Sequence, residues 1–275
     1  MESEESPGMI NMTALITSHN RRNHTLTCLE RLYGQILPAG THLGVILVDD
    51  GSNDGTADAV QKQFPQVRVI KGSGNLYWCG GMREAWKAAA PDDPEYYLLL
   101  NDDTHLREDA LNRLLKIVIS PDSRIIGVAT IADDLTGEVN YGAVHNSKGL
   151  LRPSDSENGD TFNANCVVVP RAVFKELGIL HHTYTHAMGD TDYGIQATRR
   201  GIVIKKSSEF LGTCGSNPVT GTWRDKTLPR IQRLRLLQQP KGLPFREWVV
   251  FCKRNMGWKW PYTSISPFLR ILVGR

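Results

Sequence analysis

Short apolar runs that alternate with segments of helical periodicity constrain this fold more than any other feature of the chain. The runs lie at residues 12–17, 44–49, 67–71, 96–100 and 125–131. The helical patterns between them cover about 22–35, 55–64, 80–90 and 107–119. Apolar runs of this length are typical of buried strands. Their alternation with helices predicts an α/β fold, in which helices flank both faces of a mainly parallel central sheet.

The composition is that of an ordinary globular protein. Of the 275 residues, 40% are hydrophobic and 22% are charged, which excludes a mostly disordered chain. The five cysteines are scattered and form no C-x-x-C pair, so we expect neither a zinc site nor a disulfide framework. The N-terminus is acidic at Glu2, Glu4 and Glu5 and lacks a signal-peptide pattern. No apolar stretch approaches the roughly 18 residues of a spanning helix, so we expect a cytoplasmic protein.

The charge is distributed unevenly along the chain. The formal net charge is +3, but from Arg224 onward twelve Lys and Arg residues face two acids, a local balance of +10. The preceding part therefore carries −7. This asymmetry predicts a main domain at residues 10–223 and a basic, Trp-rich helical segment at residues 224–275 that meets a different partner.

Two adjacent carboxylates, Asp102 and Asp103, follow the apolar run 96–100 after Asn101. Neighbouring carboxylates are costly to hold together unless a cation neutralises them. In open α/β sheets, ligands bind beyond the carboxyl ends of the strands. Hard oxygen donors there favour Mg²⁺ or Mn²⁺ holding a phosphorylated ligand. The alternative is the start of a helix, whose dipole favours acids.

Two earlier strand ends carry polar motifs of a similar kind. The stretch 16–21 could receive the base and ribose of a nucleotide, or form a turn capped by Asn20. In the stretch 48–56, Asp49 or Asp50 could accept hydrogen bonds from a pyrimidine N–H or a ribose hydroxyl. The spacing does not fit an EF-hand calcium loop, whereas a purely structural turn remains an alternative.

Three later features bear on a second substrate. Asp190 could accept a proton from an acceptor hydroxyl, with Asp192 supporting a nearby basic group, or it could simply cap a helix. The Gly-rich stretch 72–81, which includes Trp78, could shape a sugar-nucleotide pocket or pack a bend. The histidines at 181, 182 and 186 do not have the H-E-x-x-H spacing, which favours surface or acceptor-site roles over a metal site.

The C-terminal segment combines bases with aromatic residues. One helical face contains Phe245, Trp248, Val249, Phe251 and Cys252. Such a helix can lie in the headgroup layer of a membrane with its bases against anionic lipid, and we favour this interpretation. The alternatives are packing against the main domain and binding of nucleic acid. No recognition motif accompanies the charge and the rest of the chain is acidic, so we expect no nucleic acid.

Taken together and in this order, the motifs resemble family-2 glycosyltransferases of the GT-A fold, and most nearly the bacterial rhamnosyltransferase-type enzymes that build surface polysaccharides. The matching stretches are 17–21, 48–52, 74–75, 100–104 and 189–193 with Arg199, and they span about residues 12–211. The resemblance implies a GT-A nucleotide-diphospho-sugar transferase fold with a basic helical C-terminal appendage. It also implies inverting, metal-dependent transfer from a nucleoside-diphosphate sugar to a glycan or lipid-linked acceptor.

The resemblance also implies roles for individual residues. The catalytic base is Asp190, the metal is held by Asp103 and Asn101, and Asp192 and Trp78 support the acceptor side. The residues that hold the nucleotide are Thr17, His19, Asn20, Arg21, Asp49, Asp50, Gly74, Asn75 and Asp102. The chain departs from the family pattern at three places. Asn101 replaces an acid, Gly189 stands where Glu is common, and no histidine occurs at 211–215.

Two other functions fit parts of the pattern. A sugar-phosphate nucleotidyltransferase also uses an α/β sheet and a metal, but it usually carries glycines after the first strand, and residues 17–22 contain none. A non-catalytic sugar-nucleotide-binding protein is the other alternative, against which the retained Asp49, Asp103 and Asp190 argue. We expect a cytoplasmic enzyme, peripheral at the inner face of the membrane. The donor sugar, its base, the acceptor linkage and the oligomeric state have no signature in the sequence.

Overall fold

The computed structural model describes residues 9–274, so the acidic positions 2, 4 and 5 lie outside the described residues. The strands are β1 (Ile10–Ser18), β2 (Thr41–Asp49), β3 (Arg68–Lys71), β4 (Tyr96–Leu100), β5 (His105–Leu106), β6 (Ile125–Asp133), β7 (Val139–Tyr141), β8 (Ala143–His145), β9 (Gly149–Leu150), β10 (Thr161–Phe162), β11 (Cys166–Pro170) and β12 (Val203–Cys214). The α-helices are α1 (Arg22–Tyr33), α2 (Thr56–Gln63), α3 (Tyr77–Ala89), α4 (Ala110–Val118), α5 (Arg171–Leu177), α6 (Gly189–Arg199), α7 (Arg230–Leu237), α8 (Phe245–Asn255) and α9 (Trp260–Leu272). Short 3₁₀ helices cover Ala90–Asp92 and Gly257–Lys259.

The central sheet is mixed rather than purely parallel. Its strand order is β3-β2-β1-β4-β11-β6-β12-β5, and β7 pairs with β6. The pairs from β3 to β4 and the β6–β12 pair are parallel. Strand β11 runs antiparallel to both neighbours, and β5 runs antiparallel to β12. The predicted α/β fold is confirmed, and each predicted strand is present.

Two details differ from the sequence prediction. The stretch 133–160 is rich in Gly, Asn and Ser, which predicts loops or a variable insertion, but β8 and β9 pair there and form a small second sheet with β10. These strands have only two or three residues, which is too short for an alternating pattern to show. Helix α4 begins at Ala110 rather than near 107, because the Arg107 N–H bonds the Leu211 carbonyl and continues the β5–β12 ladder.

The hydrophobic core lies on both faces of the sheet. On β4, Leu99 belongs to the cluster that contains Trp86 of α3, whereas Leu98 belongs to the cluster that contains Leu29 of α1. Successive residues of a strand point to opposite faces, so a strand covered on both sides is apolar throughout. All five residues of β4 are buried accordingly.

The C-terminal helices pack against the main domain. On α8, Phe251 and Cys252 are buried, and Trp248 stacks on Phe251 with ring centroids 5.4 Å apart. Of the helical face that the sequence singled out for a membrane, Phe251 and Cys252 are thus buried, Trp248 and Val249 are half-buried and Phe245 is exposed, so packing explains part of that face. Among residues 9–274, no helix is both long and apolar enough to cross a bilayer.

Candidate active site

The polar motifs of the sequence meet at one edge of the sheet. Ser18 pairs with Asp49 where β1 and β2 end in parallel. The adjacent parallel strand β4 ends at Leu100, which pairs with Cys166 at the start of the antiparallel β11. Ligands of open α/β sheets bind beyond such carboxyl ends. The loops after β1, β2 and β4 and the approach to β11 therefore share one surface.

Asp50 organises the loop that precedes α3. Its Oδ1 accepts the Gly74 N–H at 2.7 Å, and its Oδ2 accepts the N–H groups of Leu76 and Tyr77 at 2.8 and 2.9 Å. The side chain is buried. A buried carboxylate needs such partners, so Asp50 anchors this loop with both oxygens. Neighbouring Asp49 is also buried but accepts only the Ser52 N–H, at 3.1 Å, among the described residues.

Glycine permits the close approach of the loops at 51 and 74. Gly51 has a φ of +70°, and a Cβ there would lie 2.9 Å from the Cα of Gly74. Any side chain at 51 would therefore push the two loops apart. Asn75, next in the chain, is exposed at the rim.

The turn after β1 is fixed to the turn after β2. The Asn20 Oδ1 accepts the Asn53 N–H, and the Asn20 N–H bonds the Ser52 hydroxyl, both at 2.8 Å. The His19 Nδ1 lies 2.6 Å from the Asp50 carbonyl oxygen. His19 and Asn20 are exposed, whereas Thr17 is half-buried against Gly81 of α3. The structure thus brings these predicted nucleotide residues to one place.

Arg21 neutralises the adjacent carboxylates. Its guanidinium bonds Asp102 at 3.0 Å and Asp103 at 2.7 Å. Asp102 is buried, and burial raises the pKa of its carboxyl although the nearby Arg21 opposes that change. Thr25 donates a further hydrogen bond to Asp102 at 3.3 Å. The cation that the sequence argument required is therefore present within the chain itself.

Asp103 is the residue of this motif that could hold a metal ion. Its Oδ1 is shielded from solvent and has no hydrogen-bond partner among the described residues. The Asn101 side chain is already engaged, since its Oδ1 accepts the Trp78 indole N–H at 2.7 Å and its amide donates to Asn165 at 3.0 Å. Within residues 9–274, no three His, Cys, Asp or Glu residues are grouped to hold a metal. Mg²⁺ typically takes one or two carboxylates and completes its shell with water and phosphate, so Asp103 fits such an ion.

Asp190 lies in the first turn of α6, beside the same edge. Its Oδ2 accepts the Ala164 N–H at 3.0 Å, and its Oδ1 accepts the Thr191 N–H at 2.7 Å. Burial raises the pKa of this carboxyl above its ordinary value of 3.8. Asn165, the next residue after Ala164, accepts the Asn101 N–H at 2.9 Å. One short stretch of backbone therefore joins Asp190 to the Asn101–Asp103 motif.

Gly189 explains one departure from the family pattern. A Cβ at this position would lie 2.5 Å from the Cys79 Sγ of α3. The Cys79 N–H also bonds the Thr185 carbonyl at 3.0 Å, which holds the segment before α6 close to α3. A glutamate would separate the two helix starts, so this packing requires glycine.

Asp192 connects α6 to the C-terminal segment. This buried carboxylate accepts hydrogen bonds from Arg254 Nε at 3.0 Å and Asn255 Nδ2 at 2.7 Å. The basic group that the sequence placed near Asp192 is therefore Arg254. Glu247 adds a second link, since it accepts the N–H and the hydroxyl of Thr185 at 3.0 and 2.6 Å.

Sequence reasoning missed Asn165, Glu247 and Arg254. Arg254 lies 62 residues from Asp192, and no local pattern signals such a pairing. The histidines do not form a metal site: His181 stacks on His182, with ring centroids 4.4 Å apart, while burial and Lys241 lower the pKa of His186 to about 4.

A mixed sheet with this strand order, and with acidic groups beyond the ends of its strands, is typical of the GT-A class of nucleotide-sugar transferases. The protein has this fold. Three solved structures share the fold. PcManGT, a mannosyltransferase of Pyrobaculum calidifontis in complex with GDP-Man and Mn²⁺, matches with a TM-score of 0.60 at 15% identity over 98% of this chain and 74% of its own. S. aureus TarS 1–349 matches with a TM-score of 0.59 at 14% identity over 96% and 71%. Its complex with UDP-GlcNAc gives 0.57 at 13% identity over 96% and 81%.

The family follows from the sequence match. The model of glycosyl transferase family 2 matches residues 13–178, and the chain belongs to this family. The protein is therefore a glycosyltransferase, as the sequence predicted. No curated protein sequence matches it. The family match ends before Asp190, so the role of that residue depends on the geometry of the site.

Proposed function

We propose that the protein is an inverting, metal-dependent glycosyltransferase that moves a sugar from a nucleoside-diphosphate sugar to a glycan or lipid-linked acceptor. The observation that carries this proposal is the position of Asp190. The Asp190 carboxylate accepts a hydrogen bond from the Ala164 N–H. The next residue, Asn165, accepts the N–H of Asn101, which directly precedes Asp102 and Asp103. A group that activates the acceptor thus lies beside the group that faces the donor diphosphate.

The donor side is built from the loops after β1, β2 and β4. Residues 17–21 and Asp49 hold the nucleotide, and Asp50 anchors the loop that carries Gly74 and Asn75 at the rim of the site. Asp103 presents a carboxylate oxygen with no other partner among the described residues. A bound Mg²⁺ or Mn²⁺ would neutralise negative charge on the diphosphate leaving group. Arg21, already bonded to Asp102 and Asp103, positions both carboxylates.

The acceptor side is built around Asp190. Asp190 is half-buried, and a carboxylate whose pKa is raised by desolvation is a stronger proton acceptor than one in water. Asp190 removes the proton of the acceptor hydroxyl as its oxygen attacks the anomeric carbon opposite the leaving group. Direct displacement from that side inverts the configuration. General-base help of this kind contributes about 10²–10⁴ in rate.

The subgroup and the pathway are inferred from the resemblance that the motifs show when taken in order, whereas no motif identifies the donor. The stretches 100–104 and 189–193, with Arg199, support a rhamnosyltransferase-like enzyme of surface polysaccharide synthesis. The neighbours of similar fold were solved with GDP-Man and with UDP-GlcNAc, which differ in both base and sugar. A donor screen should therefore vary the base and the sugar independently.

A thermal-shift panel of nucleoside diphosphates and sugar nucleotides, with and without Mn²⁺, tests the donor side. A ligand that binds only the folded state raises the apparent Tm with its occupancy, so one base should stand out and should depend on Mn²⁺. Absence of any shift across the panel would contradict the proposal. Release of pyrophosphate from a nucleoside triphosphate would instead indicate a nucleotidyltransferase.

Asp190→Asn tests the acceptor side. The variant should lose transfer while keeping the thermal shift caused by the donor nucleotide, because the substitution removes the proton acceptor and leaves the donor loops unchanged. Asp122→Asn, an exposed carboxylate elsewhere on the surface, is the control and should keep full activity. Substantial turnover by Asp190→Asn would remove this residue from the role of base.

A further inference from the structure

An apolar stripe on the last helix is exposed to solvent. We call it the α9 face: it consists of Tyr262, Ile265, Leu269 and Leu272 on α9, together with Trp258 in the 3₁₀ helix before it and Val273 directly after it. Residues three and four apart lie on one side of a helix, so the stripe is continuous. Its members are between 48% and 78% exposed, whereas Ser264 and Ile271 on the opposite side are buried. The helix is therefore packed by one side and open on the other.

This concentration is unusual for the molecule. Six of the thirteen exposed large hydrophobic residues within 9–274 lie on the α9 face, and the other seven are distributed from Met9 to Phe245. Single exposed hydrophobic residues are ordinary on soluble proteins, but a contiguous apolar patch marks a contact surface. The α9 face therefore has an occupant.

The surrounding charge identifies the occupant. Exposed bases lie around the α9 face: Lys259 lies over the Trp258 ring, Arg270 follows Leu269 on α9, and Arg246 and Lys253 are on the neighbouring helix α8. A second copy of the chain would bring an equal positive charge and repel the first. Nucleic acid would satisfy the bases but not the apolar stripe.

We propose that the α9 face docks on an anionic lipid bilayer. An amphipathic helix with bases beside its apolar side inserts that side at the boundary between headgroups and acyl chains. Each base near an anionic surface adds attraction, and Trp258 and Tyr262 are of the type that lies at the headgroup level. This surface differs from the α8 face that the sequence indicated, because Phe251 and Cys252 are buried in the protein.

The docked helix is connected to the active site. The Trp248 indole of α8 bonds the Thr263 carbonyl of α9 at 3.3 Å, and Phe245 packs edge-to-face on Phe268. Helix α8 in turn holds α6 through the Arg254–Asp192 pair. Docking would therefore fix the orientation of Asp190 relative to the bilayer, which suits a lipid-linked acceptor. This last step rests on the proposed function, whereas docking itself does not.

Vesicle co-sedimentation of the full chain tests the proposal. The protein should bind vesicles of phosphatidylcholine with phosphatidylglycerol and bind phosphatidylcholine alone far less. Ile265→Glu/Leu269→Glu should lower the partition coefficient about 100-fold, since each buried aliphatic side chain contributes about tenfold or more. Leu135→Glu/Val219→Glu, two exposed apolar residues far along the chain from α9, is the matched control and should bind like the unmodified protein.

The basic residues give a second measurement. Lys259→Gln/Arg270→Gln should weaken binding to anionic vesicles about 25-fold, at roughly fivefold for each base, and should reduce its salt dependence. Nucleotide-induced thermal shifts should be unchanged in every variant, which separates failure of docking from failure of the donor site. Equal binding by Ile265→Glu/Leu269→Glu and the control would overturn the proposal. The proposal would also be overturned if the unmodified protein formed a dimer that Ile265→Glu/Leu269→Glu dissociates and did not bind vesicles.

Discussion

Asp50→Asn tests how far the stability of the fold depends on the carboxylate that anchors the loop before α3. The three backbone N–H groups of Gly74, Leu76 and Tyr77 converge on the two oxygens of this buried carboxylate. An amide offers one acceptor oxygen and one donor nitrogen, so at least one N–H must face another donor. Losing one charge-assisted bond costs about 1.5–3 kcal/mol, and the remaining bonds weaken to neutral ones. We expect a total loss of about 4 kcal/mol.

Chemical denaturation and thermal melting measure this loss. For a chain of this size, about 4 kcal/mol corresponds to a fall in Tm of about 7 °C. Asp49→Asn is the matched control, because Asp49 is adjacent and equally buried, yet its single Ser52 N–H bond can be kept by the amide oxygen. Its Tm should change by no more than about 2 °C. A stable Asp50→Asn variant that has lost nucleotide binding would refute the anchoring role and make Asp50 a direct nucleotide contact.

Three further predictions concern the metal, the base and the C-terminal link. Asp103→Ala should weaken Mn²⁺-dependent nucleotide binding by at least about tenfold in calorimetry, and an unchanged metal-dependent affinity would contradict this. Because burial raises the pKa of Asp190 and the base acts when deprotonated, the transfer rate should rise with pH through a value above 3.8, and a pH-independent rate would exclude this titration. Arg254→Met leaves the buried Asp192 with only its Asn255 partner and should lower the free energy of unfolding by about 2 kcal/mol. In urea unfolding, Lys87→Met, which breaks the exposed pair with Glu84, should change the free energy of unfolding little, and an equal effect of the two substitutions would contradict the importance of burial.

Local pattern was sufficient for the sheet and for the order of the motifs along it. Tyr96–Leu100 is apolar throughout because α/β packing covers both of its faces, and its predicted bounds match the strand. Asp102 and Asp103 follow that strand directly in the sequence, and ligands in such folds bind beyond the carboxyl ends of strands, so a site near these residues could be predicted. Both conclusions depend on residues that are neighbours in sequence.

Contacts between distant residues could not be predicted in this way. Asn165 joins Asn101 to the loop beside Asp190 only because β11 inserts antiparallel between β4 and β6. The prediction of a membrane face on α8 had the same weakness. Helical periodicity shows which residues share a face, but not which face the rest of the protein covers. Phe251 is buried, while Ile265 and Leu269, which received no attention in the sequence, are open.

The acid pair shows how structure changes the argument for a metal. The sequence argument held that Asp102 and Asp103 require a cation, but Arg21 bonds both of them and removes most of that requirement. What still favours a metal is the oxygen of Asp103 that is shielded from solvent and has no partner among the described residues. Asp102, more deeply buried and also bonded to Thr25, is held as a support for Arg21. The two carboxylates, although adjacent in sequence, therefore differ in their contacts: Asp102 is held by Arg21 and Thr25, and the oxygen of Asp103 that has no partner among the described residues is the one we propose for a metal ion.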